Sequence, residues 1–498
     1  MKFSLLYCEE ETTALCRVFY DLSLDRAVRA LIPDTRRADA FLSVLEKPLT
    51  KKENITYRQE IYRDLSAMPH LVEELHTLFS RYDRIKSDWQ EMKLGASPAV
   101  SADLPPETLL EYTFSSLKVT AIFPYTIASY FTSVGETLER YPITARGLIA
   151  MRDWCNSMVN NKALAELLSI AHRFRYQSPE SFDFTVALSL DRAMQLVGAD
   201  LLDIEEHKEK GGLAKLFSKK KDEGGRVPIT SQLSEVGEDP EGDAALCLNE
   251  ALIRLDAALT QVTGEVYESF FGLSSELLFY QAAISYAEAA KEAGVPTVLP
   301  TVLDKEADCF HARGLREILL LSLGEGGKTV PNDATIPNER VGMLIKGLTD
   351  SGKTVYLRAI GVAQIFAQAG LPVLAESAEM SIRLGFFSHF SSAEEAFSVG
   401  DNAGRFEQEA KEISRILDAL PPYSLFFLNE TFQTTSYSEG TAAIHDILSF
   451  LPYLKTKYIF VTHLTGLFPL MKEEPVVLAH TSDKAEERYR IFAENVEE

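Results

Sequence analysis

Cysteine is scarce in this sequence: Cys8, Cys16, Cys155, Cys247 and Cys309 stand apart, with no CxxC spacing among them. That argues against a disulfide framework or a zinc site and reads as the reduced thiols of a cytosolic protein. Long apolar runs are missing too. No stretch approaches the ~20 residues that cross a bilayer, and the opening MKFSLLYCEEE reaches an acidic run too soon for the core of a secretion signal. The expectation is a cytoplasmic protein without membrane contact. Positive charge is also in short supply, since 50 Lys and Arg against 73 Asp and Glu leave a formal net charge of −23. Such a balance opposes a whole-surface attraction to nucleic acid or anionic lipid, so any such contact must come from a local basic patch.

What is present is ordinary globular material. With 46% hydrophobic and 25% charged residues the chain is neither disordered nor fibrous, and its length allows roughly two to four domains. Up to about residue 200 the apolar spacing is helical, with few strand candidates and breaks expected at Pro48, Pro105-Pro106 and Pro142. Between Glu205 and Gly242 the composition turns to Lys, Glu, Gly and Ser, which reads as a long exposed loop. Beyond it, Leu248, Leu252, Leu255, Leu259, Val262 and Val266 alternate steps of four and three. The pattern resumes at Phe270, Leu273, Leu277, Tyr280 and Ile284 after an extra step of four. This is the seam of a coiled-coil-like helix over Asp243 to about Ala293 with one stutter; two consecutive core helices are the alternative. From about Asp304, candidate strands at 341–345, 371–375, 424–428 and 458–461 alternate with helical patterns, the rhythm of a parallel α/β sheet.

The expected fold class is therefore α plus α/β. A helical core start at 1–105 and a helical core and lever arm at 106–303, carrying the loop at 205–242, precede a P-loop α/β ATPase domain at 304–498 with a mostly parallel sheet.

The most specific motif is GLTDSGKT, which fits GxxxxGK[ST] between a strand and a helix. Background composition yields that pattern in about one chain in fifty of this length, and the flanking elements cut the chance further. Gly347, Leu348, Thr349, Asp350, Ser351 and Gly352 would turn backbone N–H groups inward as an anion cradle at a helix N-terminus. Lys353 would reach the β- and γ-phosphates, and the Thr354 hydroxyl would ligate Mg²⁺. Asp350 adds an unhelpful negative charge inside the loop.

Downstream lie NAGRFEQE (402–409), LNETFQTTSYSEG (428–440) and FVTHL (460–464). In that order after the phosphate loop they resemble the ATPase domain of the MutS family, relatives of ABC-type ATPases. ARGLREILL (312–320) is similar to the family's lead-in to its first nucleotide strand, and LEKPLTKKENITYRQEIYRDL (45–65), more weakly, to the opening of its core domain. The resemblance implies a homodimer that sandwiches ATP at its interface, with lever helices reporting nucleotide state to a DNA-embracing clamp. The core-like segment begins within the first fifty residues, and a nuclease-like C-terminal extension is not visible. The expectation is thus a protein without the family's mismatch-reading domain. By the same resemblance, Glu430 orients or deprotonates the attacking water and His463 senses the γ-phosphate. Gly404, Arg405, Phe406 and Glu409 match a trans-acting dimer element, while Thr435, Ser436 and Gly440 match a turn used across the interface.

Several positions depart from the family pattern. Asn429 replaces the Asp that helps hold Mg²⁺, keeping an acceptor oxygen but no negative charge. Gly404 replaces a Ser, although Arg405 could offer a guanidinium instead. Phe432-Gln433-Thr434 replaces a Gly-Arg-Gly turn, and no aromatic is visible near Thr329 and Val330 to cover adenine. Binding should survive these losses while hydrolysis slows.

For DNA, the loop lysines Lys208, Lys210, Lys215, Lys219, Lys220 and Lys221 surround Phe217 but are balanced by Glu205, Glu206, Glu209, Asp222 and Glu223. A solvated loop is the plain reading and a phosphate-contacting finger the sharper one. Three functions compete: a MutS-like DNA clamp and ATPase, a nucleotide-gated protein scaffold without DNA binding, and an ABC-type motor for another task. The last lacks an LSGGQ element. Fold alone does not choose between the first two. His311, His389 and His445 have no ligand-like spacing and are assigned no chemistry.

Overall fold

Helical spacing of apolar residues builds most of the first half of the chain. In the computed structural model, which describes residues 3–96, 104–175, 182–190, 192, 196–206, 240–391, 402–432, 437–482 and 484–494, a short strand β1 (Leu15–Arg17) leads into helices α1 (Leu24–Leu31), α2 (Thr35–Leu45), α3 (Lys52–Ala67), α4 (Pro69–Ala96), α5 (Pro106–Glu139), α6 (Arg146–Val159) and α7 (Lys162–Arg175). A hairpin of β2 (Phe182–Leu190) and β3 (Leu196–Glu206) follows, then the long helix α8 (Pro240–Glu292). The expected breaks are real: Pro48 separates α2 from α3, Pro106 occupies the first turn of α5, where its missing N–H is harmless, and Pro142 follows the end of that helix. Among the described residues no helix is long and apolar enough to cross a membrane.

The hairpin corrects the sequence reading, which saw a helical region and then a loop from residue 205. Glu205 and Glu206 pair with Asp183 and Phe182 inside the antiparallel ladder. The loop also ends earlier than expected, because Pro240, Glu241 and Gly242 already belong to α8. The remainder of that loop, 207–239 with its six lysines and Phe217, lies outside the described residues.

The 53-residue α8 is one continuous helix, about 80 Å long at 1.5 Å per residue, which decides against two consecutive helices. Its seam differs in detail from the expected one. Leu252 and Leu259 are buried as anticipated, but Val262 is exposed and the buried positions continue through Thr263, Tyr267 and Phe270. The extra step of four thus falls one turn earlier. The reason is aromatic packing, since Tyr267 stacks on Tyr82 at 4.7 Å, and the Tyr82 hydroxyl donates to the Tyr267 carbonyl at 3.1 Å.

By compactness the chain forms two units. One is built mainly from Glu73–Pro142 and Ile149–Ser274. Its core gathers Phe114, Leu117, Leu167, Phe174, Leu252 and Leu259, and Asp256 accepts hydrogen bonds from Ser116, Thr120 and Lys93. The other unit is mainly Ser4–Val72 and Ser275–Glu498.

In that second unit the elements run β4 (Thr301–Leu303), β5 (Phe310–Leu315), α9 (Ile318–Ser322), β6 (Asn332–Ile336), β7 (Gly342–Lys346), α10 (Lys353–Gln368), β8 (Ser377–Ser381), β9 (Gly385–Phe390), α11 (Asn402–Ala419), β10 (Ser424–Asn429), α12 (Tyr437–Phe450), β11 (Lys457–Thr462), α13 (Leu467–Met471), β12 (Val476–Thr481) and β13 (Ile491–Ala493). A seven-stranded sheet has the order β1-β9-β10-β11-β7-β12-β13, parallel throughout except for the β12–β13 pair. A smaller sheet has the order β4-β8-β5-β6. The mixed α and α/β class with a mostly parallel sheet is as expected. Its central strands are continuous apolar runs because both faces are covered: Leu344, Phe426, Leu428, Tyr458 and Phe460 are all buried.

One expected strand is not there. Leu371–Ala375 is buried but forms only an isolated bridge, Val373 to Val298, and the strands in that region are β8 and β9. A short buried apolar run has the same composition whether it is a strand or a connection, so periodicity could not separate the two. The N-terminal β1, also unforeseen, adds to the β9 edge.

Candidate nucleotide site

Three neighbouring parallel strands, β10, β11 and β7, end side by side, and their C-terminal ends carry the chemistry of the site. In open parallel sheets this crevice is where ligands bind. Strand β7 runs into the phosphate loop at Gly347, where an added Cβ would lie 2.0 Å from the Thr481 Oγ1, so no larger residue fits. Asp350 (φ 58) and Gly352 (φ 90) adopt left-handed backbone and turn the chain into α10. Leu348, Thr349 and Asp350 are exposed at the loop's tip, and the Ser351 hydroxyl donates to the Leu348 carbonyl at 2.6 Å.

Lys353 opens α10 and is buried. Its ammonium donates to the Gly347 and Leu348 carbonyls at 3.0 and 2.7 Å, at the mouth of the loop. Burial lowers its pKa, while Glu430 and Asp350 act the other way and favour the charged form. The negative charge of Asp350, unhelpful toward phosphate, therefore supports the lysine.

At the end of β10 the Thr354 hydroxyl donates to the Asn429 Oδ1 at 2.9 Å. Glu430, the next residue, takes left-handed backbone (φ 58) and donates its N–H to the Val461 carbonyl at 2.9 Å. For a residue with a side chain this conformation costs of order 1–3 kcal/mol, and such strain clusters at functional sites. Its Oε1 lies 3.0 Å from the His463 Nε2. Burial pushes the Glu430 carboxyl up to about 7 against the pull of Lys353 and the His463 backbone, whereas burial and then Lys353 push the His463 ring down. Both directions oppose charge separation, so this contact is a hydrogen bond between carboxyl and imidazole more than an ion pair.

The Thr354 hydroxyl and the Asn429 amide oxygen are neutral groups that lie side by side, 2.9 Å apart. Both would help to hold Mg²⁺ only beside the phosphate oxygens of a nucleotide, the hydroxyl as an oxygen donor and the amide oxygen as an acceptor toward the ion's hydration shell. Among the described residues no group of three or more acidic, histidine or cysteine side chains could hold a bare dication, and the Glu430 carboxyl is engaged with His463.

Beside Gly352 lies a cavity of ≈ 410 Å³, lined by Leu315, Glu317, Thr329, Val330, Tyr356 and Tyr489 among others. Tyr489 corrects the expectation that no aromatic reaches the neighbourhood of Thr329 and Val330. It arrives from the last segment of the chain and is fixed by Asn332, whose Nδ2 donates to the Tyr489 carbonyl at 3.0 Å while its Oδ1 accepts the Ile491 N–H at 2.8 Å. The Arg488 guanidinium stacks 4.8 Å from the Tyr489 ring. No local pattern announces a residue that meets its partners 157 positions away in sequence.

Residues 343–498 match the family model described as MutS domain V. The chain is 27% identical over 213 residues to the DNA mismatch repair protein Msh3 of Mus musculus, covering 43% of this chain and 19% of that protein. It is 33% identical over 170 residues to the DNA mismatch repair protein MutS of Granulibacter bethesdensis, covering 34% and 18%. With Endonuclease MutS2 of Maridesulfovibrio salexigens the identity is 28% over 225 residues, covering 44% and 27%. The part of the chain that these comparisons cover is similar to proteins of the MutS family. The matched region spans about a fifth to a quarter of the length of these relatives.

The remaining candidate residues sit on α11 and after β10. Phe406 places its ring 5.2 Å from Phe432, and the Glu409 Oε2 accepts the Phe432 N–H at 2.8 Å, both within one chain. Gly404 and Arg405 belong to the first turn of α11, and their side chains lie outside the described residues. So do Gln433, Thr434, Thr435 and Ser436. Gly440 is buried in α12. His389, assigned no chemistry from the sequence, is buried with its Nδ1 2.9 Å from the Thr431 Oγ1, one residue beyond Glu430.

Proposed function

We propose that this protein binds ATP with Mg²⁺ and acts as a nucleotide-switched, dimeric DNA-binding clamp with slow hydrolysis, in DNA repair or recombination. The observation that carries the reading is the convergence of Lys353, Thr354, Asn429, Glu430 and His463 at the ends of three adjacent parallel strands. Inward-turned amides and the Lys353 ammonium hold the triphosphate, and Tyr489 with Tyr356 offers aromatic surface to the base. The metal, when bound, neutralises charge on the phosphate oxygens. Thr354 and Asn429 orient it, Glu430 aligns the attacking water and accepts its proton, and His463 lies within reach of the terminal phosphate. The N-terminal turn of α11, with Gly404 and Arg405, contacts the nucleotide of the second subunit.

Hydrolysis is slow in this reading because two groups that would stabilise developing charge are absent, an anionic residue at 429 and a hydroxyl at 404. Removing one preorganised partner typically lowers a rate by about 10²- to 10³-fold. Nucleotide state has a route to α8: Phe279 and Tyr286 of that helix pack on Phe41 and Phe366, the latter from α10, with ring centroids 5.2 to 6.5 Å apart.

A second reading, a nucleotide-gated scaffold for a protein partner, is favoured by the net charge of −23 and the neutral Asn429. Calorimetry with ATP and Mg²⁺ on wild type and Lys353→Ala tests the common ground, with a loss of binding of at least about 10²-fold expected in the variant. Absence of heat in the wild type would overturn both readings. Anisotropy with homoduplex and four-way-junction DNA, with and without ATP, then separates them: ATP-dependent binding of either supports the clamp, and binding of neither at modest salt supports the scaffold.

A further inference from the structure

Glu409 ties α11 to the turn that follows the acidic strand of its own chain. Its Oε2 accepts the Phe432 N–H at 2.8 Å, and its Oε1 accepts the Ser391 hydroxyl at 3.2 Å. The Ser391 N–H in turn donates to the Asn429 carbonyl at 3.0 Å. One carboxylate therefore reaches both flanks of the Asn429-Glu430 pair, and Phe406, one helical turn before it, reinforces the contact by packing on Phe432 at 5.2 Å.

The turn it grips is one that ordinary residues avoid. Glu430 and Phe432 have φ of 58° and 62°, in the left-handed region where a Cβ crowds the backbone. Thr431, between them, is fully buried and held by His389. Two left-handed residues within three persist only where neighbours over-determine them, and at Phe432 the hydrogen bond that does so comes from the Glu409 carboxylate. That backbone sets the direction in which the Glu430 carboxyl leaves the chain, toward His463 at 3.0 Å.

We infer that Glu409 is a positioning residue acting within its own chain: by holding the Phe432 N–H it locks the left-handed turn that aims Glu430 at the site of water attack. The inference rests on the hydrolysis reading above. It also gives α11 two ends with different duties, since the N-terminal turn faces a second subunit in that reading while Phe406 and Glu409 grip the first. A displacement of α11 on dimerisation then reaches Glu430 directly.

Steady-state hydrolysis by Glu409→Ala and Glu409→Gln tests this. Glutamine retains an oxygen for the Phe432 N–H and an amide that can donate to the Ser391 hydroxyl, so it should preserve the turn. The Ala variant should lose about 10-fold or more in kcat, as a displaced group does, with KM and calorimetric ATP affinity within about 2-fold of wild type, and the Gln variant should regain most of the rate. An unchanged kcat in the Ala variant, an affinity loss as large as the rate loss, or a Gln variant as damaged as Ala would each overturn the inference. Mixing Glu409→Ala with Glu430→Gln protein should restore no activity. Recovery would put Glu409 in the partner's site and overturn the within-chain role. Wild-type turnover no faster than that of Lys353→Ala would instead sink the hydrolysis reading. Hydrogen exchange at the Phe432 amide then decides alone, with faster exchange expected in the Ala variant and not in Gln, and unchanged protection refuting the contact.

Discussion

Asn429 offers its amide oxygen to the Thr354 hydroxyl at 2.9 Å, and the geometry would suit a carboxylate equally well. An aspartate there would accept the same hydrogen bond and add a negative charge beside the expected cation. Asn429→Asp should therefore lower the Mg²⁺ concentration at half-maximal activity and raise the hydrolysis rate, on the order of 10- to 10²-fold, while ATP affinity measured in EDTA stays the same or falls. A magnesium titration of phosphate release checks this, and a wild type already fast and indifferent to the change would contradict it. The loop residues, Lys353, Thr354, Asn429, Glu430 and His463 were legible as positions because they lie at a strand's end, just after it, or in the loop and helix start that it leads into. A parallel sheet brings successive strand ends together without needing any long-range detail. Tyr489 and the contact of Glu409 with Phe432 were not legible, because they depend on how distant segments fold back across the sheet.

Among the elements, α10 links the phosphate loop to the interior. Its C-terminal half is buried from Ala359 to Gln368, and two residues past its end stands Gly370, whose φ of 78° is left-handed and whose added Cβ would lie 2.5 Å from the Arg58 Cβ. Arg58 of α3 is itself fully buried. Its Nη1 donates to the Ala369 carbonyl at 3.3 Å, its Nε to the Leu6 carbonyl at 3.0 Å, and its guanidinium lies 5.8 Å from the Phe279 ring of α8. Gly370→Ala combines left-handed strain with overpacking against that side chain and should destabilise the protein by about 2 to 4 kcal/mol. Urea unfolding would show it as a lower midpoint with an unchanged slope. The helices were readable from apolar spacing, and α8 even from its stutter, because long periodic segments carry redundant information. Short elements carried less. The hairpin β2–β3 and the edge strand β1 owe their pairing to partners that local composition does not reveal, and Leu371–Ala375 is buried for reasons other than strand pairing.

For the whole molecule, the decisive number is the net charge of −23. A polyanion repels duplex DNA except where local cations release counterions from it, so a clamp function needs a concentrated basic surface. The sequence places six lysines, Lys208, Lys210, Lys215, Lys219, Lys220 and Lys221, within fourteen positions after the β2–β3 hairpin. If those side chains touch phosphate, the logarithm of DNA affinity should fall linearly with the logarithm of salt, and replacing all six by Gln should flatten the slope by up to about 0.9 for each phosphate no longer neutralised. The replacement should leave ATP affinity at Lys353 unaltered, because none of the six lysines belongs to the phosphate loop or to the strand ends that carry the nucleotide site. Anisotropy at several salt concentrations reads the slope, and calorimetry on the same preparation reads the ATP affinity. A slope that does not move would assign DNA binding to another surface, whereas an ATP-responsive grip on DNA that disappears with the lysines would identify the segment after the hairpin as the one that the nucleotide site controls.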